Sequence, residues 1–346
     1  MRNNIFFIST HDIGGISTFL NHCIEYLISK KKYNIFFFDK NPSKILKNKN
    51  KINFFKTSVI ENVCQTKKII NINLKKNEIK KTIIFITNYI ILPKYFFFLI
   101  KFRINGGRIF LSLHSGILTY TIKRYLGCLV SSFFFYIVDN LYYNSKYTKL
   151  WWLRLFPWLG LKKSEIVPLG IKINKVKRSK IKSILTITFL GRIEHEKNPQ
   201  LFLELAAYCH RLGLKYKFQI YGHGSLFRNL KKKYIHFVKF KKWTNNDSIY
   251  KNTHVVIITS KIETFSYVAI EAKNYGIPII TCSNGGIKEV VQNDGIICKN
   301  NKFALKAALK KVHDNYNFFS KNAIKNKINY NLNKSMSRYW ADAKKQ

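Results

Sequence analysis

Two glutamates, Glu263 and Glu271, stand eight residues apart in a chain where acidic side chains are scarce, 17 against 61 basic ones in 346 residues. An ionised carboxylate accepts hydrogen bonds on both oxygens, which suits it to the vicinal hydroxyls of a sugar. Glu263 falls in a turn after an apolar run at 254–259, and Glu271 falls inside the helical segment that follows. The first is placed to hold a hexose and the second a ribose. Main-chain N–H groups of Phe265, Ser266, Tyr267 and Val268 open that helix and would face phosphate, because a helix start carries positive partial charge. Taken singly, Glu263 reads equally as a helix cap and Glu271 as a solvated helix residue.

A second cluster runs Gly191-Arg192-Ile193-Glu194-His195-Glu196-Lys197-Asn198-Pro199, after an apolar run and before a helix starting near Pro199. Ligands of open parallel sheets bind at the carboxyl ends of strands, so Arg192 and Lys197 would both present positive charge there to a diphosphate. Gly14-Gly15, between a first apolar run and a helical segment, lets backbone N–H groups approach a phosphate. Neither Gly14-Gly15 nor Gly222-His223-Gly224 has GxGxxG spacing, which disfavours a nicotinamide dinucleotide fingerprint.

The elements that position these residues alternate short apolar runs with longer segments of helical period, the pattern of parallel sheets covered by helices. The fold class is α/β, twice over. The sequence predicts strands at 4–9, 33–38, 52–56, 82–87, 108–114 and 140–144, then at 184–190, 217–221, 234–238, 254–259, 278–281 and 295–298. Residues 1–170 form one domain, the polar, lysine-rich stretch 171–182 a linker, and 183–346 a second domain with a helical tail that could fold back on the first.

At 47% hydrophobic residues the chain is no disordered polymer. Its formal charge of +44 suggests a nucleic-acid binder, but the charge is not clustered: residues 1–172 carry +21 and the remainder +23. Lysines outnumber arginines 51 to 10, a compositional bias rather than a built groove. Six scattered cysteines lack CxxC or zinc-finger spacing, and the first residues lack the apolar stretch of an export signal. A reduced, cytoplasmic chain is expected. The apolar windows 89–100 and 125–138 are too short to span a bilayer, which needs about 18 to 20 residues.

With these residues quoted, the chain resembles glycosyltransferase family four, the retaining group 1 glycosyl transferases of GT-B fold, over essentially its full length. The resemblance rests on Gly14-Gly15, Gly191-Arg192 with Lys197, the E-x7-E pair Glu263 and Glu271, Tyr275-Gly276-Ile277-Pro278, and Gly285-Gly286-Ile287-Lys288-Glu289-Val290. Val167-Pro168-Leu169-Gly170 looks like the family's crossover into the second domain. The resemblance implies two Rossmann-like domains facing each other across a cleft. It also implies a retaining, metal-independent transfer of a sugar from a nucleotide diphosphate to an acceptor hydroxyl, with no cofactor beyond that donor. On it, Glu263 contacts donor sugar hydroxyls, Glu271 the ribose, Arg192 and Lys197 the diphosphate. Gly15 gives a main-chain N–H to phosphate, and His114 contacts the transferred sugar as a catalytic residue beside Glu263.

The chain departs from the family pattern where Thr264 and Ser266 replace the usual glycines around Phe265, so the backbone there is expected to avoid positive φ. The segment 236–243 lacks the glycine usual near the base. Aromatic and basic stretches at 94–101 and 150–158 suit an acidic membrane surface. The expectation is a peripheral enzyme on the inner face of the cytoplasmic membrane, extending a glycan or lipid-linked acceptor in bacterial surface polysaccharide or lipopolysaccharide synthesis. A basic nucleic-acid-binding protein, or an inactive sugar-binding protein of the same fold, are the alternatives; paired glutamates disfavour nucleic acid.

Overall fold

The computed structural model describes residues 3–8, 14–39, 52–56, 62–74, 76–114, 122–174 and 184–344. The chain divides into two compact units, Met1–Leu169 with Leu332–Gln346, and Gly170–Asn331.

In the first unit β1 (Asn3–Ile8), α1 (Gly15–Lys30), β2 (Tyr33–Asp39), β3 (Asn53–Lys56), α2 (Val63–Asn73), β4 (Thr82–Ile86), α3 (Ile91–Ile104), β5 (Arg108–Leu113), α4 (Ile122–Phe133), β6 (Asn140–Tyr143), α5 (Lys146–Leu155) and β7 (Ser164–Ile166) follow in order. The strands make one sheet of order β3-β2-β1-β4-β5-β6-β7, paired in parallel throughout. A parallel sheet is covered on both faces, and so its strands are apolar without alternation. Ile5, Phe6, Phe7 and Ile8 are all fully buried, and Phe6 stacks on Phe36 of the neighbouring strand at 4.3 Å.

The second unit holds β8 (Thr186–Leu190), α6 (Pro199–Arg211), β9 (Lys217–Tyr221), α7 (Phe227–Tyr234), β10 (Lys239–Lys241), α8 (Asn246–Lys251), β11 (Val255–Ile258), α9 (Tyr267–Asn274), β12 (Ile279–Thr281), α10 (Ile287–Val290), β13 (Gly295–Ile297), α11 (Lys302–Asp314) and α12 (Tyr316–Asn326). Its parallel sheet has the order β10-β9-β8-β11-β12-β13. Strand order reverses between β8 and β11, and such a switch point opens a crevice at the carboxyl ends of the two strands. The corresponding reversal in the first unit lies between β1 and β4.

Three sequence expectations change. The run at 234–238 is not a strand: Tyr234 ends α7, Val238 N–H closes back on the Tyr234 carbonyl, and the strand is Lys-Phe-Lys at 239–241. The final helix α13 (Leu332–Tyr339) and the residues after it belong to the first unit. There Trp340 is fully buried against Phe7 and Phe85, at 6.1 and 5.2 Å between rings, and Arg108 donates to the Asp342 carbonyl at 2.6 Å. The boundary at 346 therefore changes, while the tail that could fold back on the first domain is part of that first unit. Of the stretch 171–182, residues 175–182 lie outside the described residues, and the rest is anchored rather than free. Ile171 N–H donates to Tyr330 at 2.8 Å, and Asn274 bridges the Lys172 carbonyl and the Asn174 N–H at 2.8 and 2.9 Å.

Candidate active site

The chain leaving β8 is fixed by glycines on its neighbour. Ile193 N–H donates to the His223 carbonyl at 2.9 Å, and a Cβ on Gly222 would lie 1.9 Å from the Gly191 oxygen. One on Gly224 would lie 2.4 Å from the Ile193 oxygen. Gly222-His223-Gly224 is thus a close backbone approach that sets the loop carrying the two cations. The Glu194 carboxylate tightens the same junction by accepting from the N–H and hydroxyl of Ser225, which hold it below the usual carboxylate range. A single helical turn, His195–Lys197, then leads into α6.

Lys197 Nζ lies 2.7 Å from Glu263 Oε1, and the Ser260 hydroxyl donates to the same oxygen at 2.6 Å. Among the described residues both donors fall on Oε1, which leaves Oε2 to a ligand. Among the described residues the ion pair of Arg192 is with Glu196, at 2.8 Å and about half exposed. Exposed pairs of this kind contribute about 0–1 kcal/mol, so its guanidinium is readily surrendered to a better anion. The two segments are sewn together where Lys261 N–H donates to the Glu196 carbonyl at 2.9 Å and the Thr259 hydroxyl reaches the Lys197 and Asn198 carbonyls. Glu263 is fixed by its backbone too. Its N–H donates to Asn284 at 2.9 Å, and Gly285, at φ 105°, leaves room for the Glu263 carbonyl, which a Cβ would meet at 2.4 Å.

Ser266 corrects the expectation about this turn: its φ is +108°, although it is not glycine. The chain must bend sharply there to start α9, and the Ser266 hydroxyl offsets part of the strain by capping the Ala269 N–H at 3.4 Å. Phe265 and Tyr267 are buried, Phe265 against the ring of Tyr330 at 5.9 Å, so these two offer a ligand main chain rather than side chain. The N–H groups of a first helical turn have no intrahelical acceptors, and here they open at the switch point.

Glu271, one turn into α9, is partly buried and held from α8. Asn246 donates to Oε1 at 3.2 Å and Tyr250 to Oε2 at 2.8 Å. Desolvation pushes its carboxyl up to about 7. The Tyr250 ring stacks on Tyr275 at 5.2 Å, and Tyr275 in turn donates to Asp247 at 2.9 Å. None of Asn246, Asp247 and Tyr250 stood out in the sequence, and Tyr275 did so only within the Tyr275-Gly276-Ile277-Pro278 motif. The polar run Asn245 to Ser248, which begins α8 with an Asn245 cap, is the signal that marks the first of them. The structure therefore brings Lys197 and Glu263 into contact, ties Arg192 to them through Glu196, and sets Glu271 on the helix that starts just beyond Glu263.

In the first unit His114 follows β5 and is buried, its Nε2 2.9 Å from the Ser112 hydroxyl and its ring 4.3 Å from that of Phe19 on α1. Burial pushes the imidazole down to about 3, so it is neutral at working pH. Ser112 also reaches the Tyr339 hydroxyl of α13 at 3.3 Å, a partner 227 residues away that no local pattern reveals. Gly14 and Gly15 begin α1 and are exposed, and a Cβ on Gly14 would meet nothing within 4 Å. Packing does not demand glycine there.

Residues 171–330, nearly the whole of the second unit, match the family described as Glycosyl transferases group 1. The second unit is thus similar to this family. The O-antigen biosynthesis glycosyltransferase WbnH of Escherichia coli is 23% identical over 227 residues, covering 64% of this chain and 60% of the relative. A UDP-Gal:alpha-D-GlcNAc-diphosphoundecaprenol alpha-1,3-galactosyltransferase of the same species is 32% identical over 155 residues, 41% of this chain and 40% of that one. The chain thus spans about 60% of the length of the first of these relatives. Among solved structures, Anabaena Alr3699/HepE in complex with UDP superposes with a TM-score of 0.80 at 14% identity over all of both chains. The sucrose-phosphate synthase of Thermosynechococcus elongatus gives 0.80 at 14% over 99% of each. These likenesses establish the fold, which is GT-B.

Proposed function

We propose that this chain is a retaining glycosyltransferase that moves a sugar from a nucleotide diphosphate sugar to a hydroxyl of a glycan or lipid-linked acceptor, without a metal, in bacterial surface polysaccharide or lipopolysaccharide synthesis. The observation that carries this is the Lys197–Glu263–Ser260 cluster at the switch point, with Glu271 on the adjoining helix. The named activities of WbnH and the galactosyltransferase support the acceptor class.

Departure of a nucleoside diphosphate builds negative charge on its phosphate oxygens, and fixed cations and helix N–H groups aimed there stabilise that charge as it forms. Lys197 and Arg192 exchange their carboxylate partners for phosphate, which frees Glu263 to accept donor sugar hydroxyls. Glu271 accepts the ribose hydroxyls on the sides of its oxygens that Asn246 and Tyr250 leave open. The family resemblance assigns Gly15 a main-chain N–H toward phosphate and His114, neutral in its buried place, a hydrogen bond to the sugar. The leaving phosphate accepts the proton of the attacking hydroxyl on the same face, which gives retention.

A melting-shift panel of UDP-, GDP- and ADP-sugars on wild type and Glu271→Ala tests this. One nucleotide family is expected to stabilise the wild type, with most of that shift lost in the variant. A wild type indifferent to all three refutes it.

A further inference from the structure

The first unit presents an apolar face that water alone would not select. On α4, Cys128, Ser131 and Ser132 point into the core, with the two hydroxyls donating to the Gly127 and Leu129 carbonyls at 2.7 Å. Ile122, Leu126, Val130 and Phe133, spaced by four, four and three and so on one side of the helix, are 81, 50, 48 and 57% exposed. A helix packed for water turns the other way round. On α3, Phe97 and Ile104 are 83 and 80% exposed and alternate at helical spacing with exposed Lys94 and Lys101. The two helices are neighbours: Phe96 of α3 meets Phe134, the residue after α4, at 4.7 Å, and Phe133 stacks on Trp158 at 5.1 Å. Leu161, 86% exposed, lies three residues beyond Trp158.

The segment of sequence that carries this face is basic. Between Glu78 and Asp139 the sequence holds eight basic residues and no acidic one. Asp139 itself is engaged by Arg103 at 3.1 Å and by the Ile109 N–H at 2.8 Å. A second copy of the chain would bring like charge against like in such a contact, and no helix among the described residues is long and apolar enough to cross a bilayer.

We propose that this face, Phe97 and Ile104 of α3 with Leu126, Val130 and Phe133 of α4, docks on an anionic lipid bilayer. The apolar side chains enter the interface while Lys94 and Lys101 meet the headgroups. The assignment stands apart from the transfer chemistry, which the nucleotide panel reads separately.

Co-sedimentation of the full chain with phosphatidylglycerol–phosphatidylcholine vesicles tests it. Wild type is expected to bind at low salt, to release at high salt, and to ignore vesicles of phosphatidylcholine alone. Phe97→Ser combined with Leu126→Ser and Val130→Ser is expected to lower partitioning by about tenfold or more at unchanged melting temperature. Because the triple variant alters three sites, Lys94→Glu with Lys101→Glu serves as a second probe, expected to lose about fivefold for each charge removed. Wild type that ignores anionic vesicles, variants that bind as wild type does, or a wild-type dimer dispersed by the triple variant would each overturn the proposal.

Discussion

Glu271→Gln separates the carboxylate's charge from its shape. Burial lifts this group from an ordinary 4.5 to about 7, with the Tyr250 hydrogen bond opposing. At about 1.4 kcal/mol per pH unit, and discounted for the part of the side chain that water reaches, the charged form costs the fold about 2–3 kcal/mol. The folded value lies above the unfolded one, so the native state binds the extra proton. The group's contribution is fully present below about pH 4.5 and is lost as pH rises through about 7. Wild type should therefore lose about 2–3 kcal/mol of stability from this residue between pH 4.5 and pH 8, while the glutamine variant does not. Denaturant unfolding of both chains across that range reads the difference directly. Donor binding has the opposite slope, because ribose hydroxyls need the ionised acceptor: affinity in wild type should fall below pH 7 by up to about tenfold per unit. A stability difference between the two chains that is flat from pH 5 to pH 8 would refute the account of Glu271.

Ser266→Gly should relieve the +108° backbone while losing the cap, and Ser266→Ala should lose the cap and keep the strain, so glycine should exceed alanine in stability by about 1–2 kcal/mol by denaturant titration. Lys273 and Asp294 form a fully buried ion pair on the far side of α9 from the ligand edge, joined by Asn326. Lys273→Met should cost about 3–5 kcal/mol, and adding Asp294→Leu should recover much of it in a double-mutant cycle. Chelation with EDTA should leave the rate of sugar transfer unchanged, measured as release of nucleoside diphosphate.

Much of the fold is legible because a parallel sheet buried on both faces writes its strands as apolar runs. The runs Ile5 to Ile8 and Ile83 to Ile86 mark β1 and β4 without ambiguity. The failures have local causes. β7, a three-residue edge strand centred on exposed Glu165, has no apolar run, and β10 is Lys-Phe-Lys beside the more apolar end of a helix. At the site, residue type and order singled out Arg192, Lys197, Glu263 and Glu271, and the structure puts Lys197 in contact with Glu263. Their supports did not show, since Tyr250 reaches Glu271 across 21 residues and Tyr339 reaches Ser112 across 227. The positive φ of Ser266 ran against residue preference, and only the need to turn from β11 into α9 explains it.

Calorimetric titration of the nucleoside diphosphate that stabilises the wild type, into wild type, Lys197→Ala and Glu263→Ala, tests the central assignment most directly. Lys197→Ala is expected to weaken binding by about tenfold or more, through loss of a charge-assisted contact of about 1.5–3 kcal/mol. Glu263→Ala is expected to hold the nucleotide as well as wild type while losing transfer. Undiminished affinity in Lys197→Ala would contradict the placement of the diphosphate at the switch point between β8 and β11.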